Sequence, residues 1–179
     1  MVVLKKILDF YINSSLHVAL SAFALVSMTQ YFFGVQGDFS VAFFAFFGTV
    51  VGYNFVKYDA IARLNKTEIK KELKAIVFLS FISLLACFYF FLQLSWESKL
   101  SAFAFFGLTL LYTLPFFPNK QNARNWKGVK IYIVGITWVG VTVILPLVEA
   151  EIPFTMDVLL MAFQRFLLVF SIVLVFDIV

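Results

Sequence analysis

Hydrophobic residues occur along this chain in long unbroken runs, separated by short stretches where polar and charged residues collect. A helix needs about 20 apolar residues, rising about 1.5 Å each, to cross a hydrocarbon core of roughly 30 Å. By that ruler the pattern predicts six membrane spans, at 14 to 34, 40 to 58, 75 to 94, 100 to 117, 130 to 148 and 157 to 179. Only short connections separate them, so neighbouring spans should pair as antiparallel hairpins of one bundle. Residues 3 to 12 fit a short interfacial helix. Lys5 and Lys6 precede an apolar run as they would in a signal peptide, but the run is too long for a cleaved leader and Ala22-Phe23-Ala24 lies inside it, so an uncleaved first span is expected.

Composition sharpens this picture. The 179 residues are 63% hydrophobic and only 13% charged, with a mean hydropathy of +0.97. Soluble domains carry roughly a quarter charged residues, so an ordinary soluble fold is excluded and the expected class is an all-α polytopic transmembrane bundle. Residues 1–179 should form one membrane domain, with no soluble domain left to place. The single cysteine, Cys87, rules out a disulfide framework and reads as a small buried hydrophobe.

Orientation follows from lysine and arginine. If the spans alternate, Lys5, Lys6, Lys57, Arg63, Lys66, Lys70, Lys71, Lys74, Lys120, Arg124, Lys127 and Lys130 all fall on the side of the N-terminus, whereas Lys99 falls opposite. That bias predicts a cytoplasmic N-terminus, with the loops at 59 to 74 and 118 to 129 facing the cytoplasm. A bacterial-type inner membrane is the expected location.

Polar residues then stand out at three predicted cytoplasmic helix ends. In "GYNFVKYDAIARLNK", residues 52 to 66, Asn54, Lys57, Tyr58 and Ile61 share a helical face while Asp59 sits about 140° from Asn54. Taken alone, the stretch reads first as a snorkelling Lys57 and a solvated Asp59 at a helix end. In "LYTLPFFPNKQNARNWKGVK", residues 111 to 130, Tyr112 and Pro115 lead into Lys120, Arg124, Lys127 and Lys130 with no acid among them. Such cations suit phosphate oxygens, although topology and anionic lipid also account for the charge. The third is Asp177 in "VLVFDIV", a carboxylate that costs about 2.5 to 3.5 kcal/mol at the bilayer centre unless it reaches the interface or a partner.

That order resembles the UbiA superfamily of intramembrane prenyltransferases, whose members have about nine helices, two Asp-rich motifs and a Tyr-containing span end that leads to a basic loop. "GYNFVKYD" is similar to the first motif, "LYTLPFFPNK" to the middle element and "FDI" to the start of the second motif. The resemblance extends over essentially all of the chain and matches about two thirds of a family member, so an incomplete reading frame is expected. It implies magnesium held by Asn54 and Asp177 with help from Asp59. It also implies a diphosphate held by Tyr112, Lys120, Arg124 and Lys127. Phe55, Tyr58 and Ala62 occupy the positions of the first motif's carboxylates, and Asp59 is one residue late. Only an unwound helix end would bring the oxygens of Asn54 and Asp59 onto one ion.

The implied activity is transfer of a prenyl group from an isoprenoid diphosphate to a lipid-soluble acceptor at the cytoplasmic face. Its rival is a non-catalytic multi-span protein, transporter-like or scaffold, or an inactive fragment of the enzyme. The remaining signals have structural readings: His17 as a hydrogen-bonded residue of the first span, Gly48 and Gly52 as a close helix approach, Arg165 as a snorkelling or buried paired cation, and Pro115 and Pro146 as kinks. "AFFAFFG" suits either lipid or a cation-shielding wall. No Walker loop, zinc spacing, nucleophile elbow or nucleic-acid motif is present.

Overall fold

A computed structural model describes residues 2–35, 39–64, 71–113 and 128–178. Among them every regular element is a helix: α1 (Val2–Asn13), α2 (Leu16–Phe32), α3 (Ser40–Leu64), α4 (Lys71–Gln93), α5 (Trp96–Thr113), α6 (Val129–Val139), α7 (Leu145–Glu149) and α8 (Met156–Ile178), with a π-helical segment Gly140–Ile144 joining α6 to α7. Where they are described, the predicted apolar runs lie mostly on helices, the fifth of them on α6, the π segment and α7 together.

Among the described residues, four helices are long and apolar enough to cross a membrane, at Ser40–Tyr58, Leu73–Gln93, Val129–Glu149 and Met156–Val175. A fifth arises if α1 and α2, bent by 60° at Ser14-Ser15, make one broken span. α5 falls short because its 18 residues include Glu97 and Lys99 in the first turn; the predicted run began at residue 100 and continued to 117, beyond the described residues.

The chain divides into two compact units, 1–24 with 39–93 and 25–38 with 94–179. In the first, α3 and α4 form an antiparallel hairpin. Its register is fixed at one end by Ser40 Oγ donating to Gln93 Oε1 at 3.1 Å. Stacked rings continue it, with Phe43 and Phe47 lying 5.2 and 5.9 Å from Phe90. The "AFFAFFG" segment therefore joins helix to helix. Gly48 faces Cys87, whose Sγ would be 3.6 Å from an added Cβ, while Gly52 faces open space. An added Cβ would make ordinary contact at Gly48 and none at Gly52, so neither glycine of the predicted pair is needed for a close helix approach.

In the second unit, α5 runs antiparallel to α6–α7, which packs on α8. Ser95 caps α5 by accepting the Ser98 N–H at 3.3 Å. Its own N–H and hydroxyl donate to the Glu149 carboxylate, at 3.0 Å to Oε2 in each case, pinning the start of α5 to the end of α7. Glycine permits two ring contacts: a Cβ at Gly135 would lie 2.7 Å from the Phe166 ring, and one at Gly140 would overlap the edge of the Phe105 ring. Val143, Leu147 and Val158 form the buried core here. Because lipid is as apolar as leucine, close packing and interhelical hydrogen bonds hold such helices together more than burial does. The Val129–Glu149 window is accordingly the most enclosed, at 44% buried, and Leu73–Gln93 the least, at 11%.

Candidate functional site

α3 carries the first polar constellation. Asn54 precedes Tyr58, the last residue of the α3 apolar window, by about 6 Å of helix. Its side chain is only 3% exposed. Nδ2 donates to Ser80 Oγ on α4 at 2.9 Å, and that hydroxyl donates to the Ile76 carbonyl at 2.9 Å. Oδ1 is buried and has no hydrogen-bond partner among the described residues. An unpaired buried acceptor costs about 1–3 kcal/mol, so this oxygen attracts a donor or a cation.

The neighbouring polar residues turn elsewhere. Lys57 Nζ donates to the Asn13 carbonyl at 3.3 Å and to Asn13 Oδ1 at 3.4 Å, and Tyr58 OH donates to the same carbonyl at 2.8 Å. The last two residues of the α3 window thus clamp the C-terminal end of α1. Asn13 and Ser80 escaped the sequence reading because both are ordinary polar residues whose role depends on a partner helix.

Of the other predicted site residues, the side chains of Tyr112, Asp59 and Asp177 lie outside the described residues, as do Lys120, Arg124 and Lys127 altogether. α3 stays helical through Leu64, which sets positions 54 and 59 about 140° apart around its axis. Magnesium takes near-octahedral oxygen ligation, usually with one or two carboxylates. Asn54 Oδ1 fits as a single neutral ligand, but its neighbours Phe55 and Tyr58 offer no carboxylate, and among the described residues no three His, Cys, Asp or Glu side chains come together. The described side chains do not make a magnesium site.

A second polar cluster lies in the other unit. Pro146, at the start of α7, has no N–H to offer the carbonyl of Thr142 four residues earlier, and its ring would clash with that carbonyl in a regular helix. The π segment Gly140–Ile144 widens the turn at this point. Thr29 of α2 then donates its hydroxyl to the Thr142 carbonyl at 2.7 Å. Arg165 of α8, 3% exposed, donates from Nη2 to Thr29 Oγ1 at 3.4 Å and from Nη1 to the Leu25 carbonyl at 3.2 Å. The predicted buried acceptor for Arg165 is therefore a helix carbonyl with a threonine. Pro146 was the available signal, since it names residue 142 as the carbonyl needing another donor.

His17 is exposed and its ring packs 5.9 Å from that of Tyr11; among the described residues this ring contact takes the place of the expected side-chain hydrogen bond. Cys87 is half-buried, with Sγ 4.0 Å from the Phe44 carbonyl. An open groove of about 630 Å³ lined by Phe32, Phe33, Asp157, Leu160 and Gln164 lies beside α8. No protein-family model matches this chain, and no curated protein or solved structure matches it either.

Proposed function

We propose that this chain is a UbiA-like intramembrane prenyltransferase homologue that moves a prenyl group from an isoprenoid diphosphate to a lipid-soluble acceptor. In this proposal it crosses a bacterial-type inner membrane six times from a cytoplasmic N-terminus. Lys120, Arg124 and Lys127 hold the diphosphate with Tyr112. They offset its charge as the allylic C–O bond breaks and the electron pair leaves with the phosphate oxygen. The acceptor bonds to the allylic carbon and releases a proton. Magnesium at Asn54 and Asp177 is what the resemblance implies; Asp59, about 140° around the continuous α3 helix from Asn54, does not join Asn54 on one ion, and no step is drawn through the metal.

The supporting observation is the Asn54 amide, buried near the end of an apolar helix with its oxygen unpaired among the described residues. The test is an equilibrium titration of the full chain in lipid nanodiscs with farnesyl diphosphate. Lys120→Gln together with Arg124→Gln should weaken binding at least about tenfold, or about 1.4 kcal/mol. Unchanged binding with altered topology would contradict the proposal.

The Asn13 clamp and the Asn54–Ser80 bond favour a second reading, a non-catalytic bundle in which the polar residues of α3 join helices. Under it, Asn54→Ala lowers the melting temperature, and neither the parent nor the variant binds the diphosphate.

A further inference from the structure

α1 is amphipathic around its whole circumference. At 100° per residue, Phe10, Val3, Ile7, Tyr11, Leu4, Leu8 and Ile12 fill one broad arc in angular order, while Lys5, Asp9, Asn13 and Lys6 fill the opposite one with Val2. Among the described residues nothing covers the apolar arc: Val3, Leu4, Ile7, Leu8, Phe10 and Ile12 are 37% to 72% exposed.

Three observations identify what covers it. First, the clamp on the Asn13 carbonyl comes from Lys57 and Tyr58, the last two residues of the α3 apolar window. The C-terminal end of α1 is therefore held at the level where the apolar stretch of α3 ends, although the helix itself continues to Leu64. Second, α1 departs from the axis of α2 by 60° at Ser14-Ser15, with Ser15 in the left-handed region at φ 60°. A helix that leaves a span this steeply turns toward the bilayer plane. Third, the narrow polar arc holds two lysines against one aspartate, which complements anionic headgroups.

We propose that α1 is a membrane-interface helix, docked on the phospholipid surface beside its own spans with Val3, Leu4, Ile7 and Leu8 in the acyl boundary and Lys5, Lys6 and Asp9 toward water. A helix with a clear apolar face and a charged opposite face beds about 5–10 Å into that boundary. The clamp makes α1 a strut between the lipid surface and the helix end that carries Asn54. This holds whether or not the chain is a prenyltransferase.

The experiment uses the full chain in vesicles of phosphatidylethanolamine and phosphatidylglycerol. In a Cys87→Ala background, Val3→Cys, Leu4→Cys, Lys5→Cys, Lys6→Cys, Ile7→Cys, Leu8→Cys and Asp9→Cys are spin-labelled one at a time. Accessibility to oxygen and to a water-soluble nickel chelate is then read by electron paramagnetic resonance. Positions 3, 4, 7 and 8 should be several-fold more accessible to oxygen relative to nickel than positions 5, 6 and 9, with a helical period. Nickel access at every position would overturn the proposal, as would deep burial at all seven, which marks a broken span. Spin–spin broadening confined to the apolar positions would assign the face to a second copy of the chain, and would equally overturn it.

Discussion

Gly140 and Gly52 both sit in apolar helices, yet a methyl group meets different neighbours at each. At Gly140 an added Cβ runs into the ring of Phe105, whereas at Gly52 nothing lies within 4 Å. Gly140→Ala should destabilise by about 1–3 kcal/mol through overpacking. Gly52→Ala should be neutral or stabilise by up to about 1 kcal/mol, because alanine is the better helix former. Thermal unfolding of the two variants in detergent checks this, and equal shifts would contradict the packing described for α5 against the π segment. Asn54 supplies a second residue-scale expectation. Ser80→Ala leaves Asn54 Nδ2 without its acceptor, and should cost about 1–3 kcal/mol in the same measurement.

Among the elements, the α6–π–α7 run shows how one proline recruits a network. Pro146 withholds an N–H from Thr142, Thr29 replaces it, and Arg165 supports Thr29. Thr29→Val should therefore destabilise in the parent chain and cost less in a Pro146→Ala background, where residue 146 regains its N–H. The expected coupling is about 0.5–3 kcal/mol, read from a double-mutant cycle of thermal or denaturant unfolding. Strict additivity would separate the proline from the threonine. The helices themselves were legible in the sequence because runs of this length and hydropathy have few alternatives in a membrane. The π segment, the Ser95–Glu149 pin and the Asn13 clamp were not, since each depends on which helices become neighbours. Asn54 was legible as a candidate, because an amide within an apolar run, even near its end, is costly unless paired; its partner on α4 was not.

For the molecule as a whole, lysine and arginine crowd the connections assigned to one side. That distribution makes topology testable without reference to any activity. An epitope at the N-terminus should resist protease added to intact spheroplasts and be cut once they are lysed. Cleavage in intact spheroplasts would reverse the orientation and move every basic loop away from the cytoplasm. The proposed chemistry depends on polar helix ends serving a ligand and not only one another. The most direct test is calorimetric titration of the full chain in nanodiscs with farnesyl diphosphate and magnesium, for the parent, Asn54→Ala and Ser80→Ala. Saturable binding by the parent that falls at least about tenfold, or about 1.4 kcal/mol, in Asn54→Ala and is retained in folded Ser80→Ala is the expected result. No binding by the folded parent, or equal binding by parent and Asn54→Ala, would contradict it.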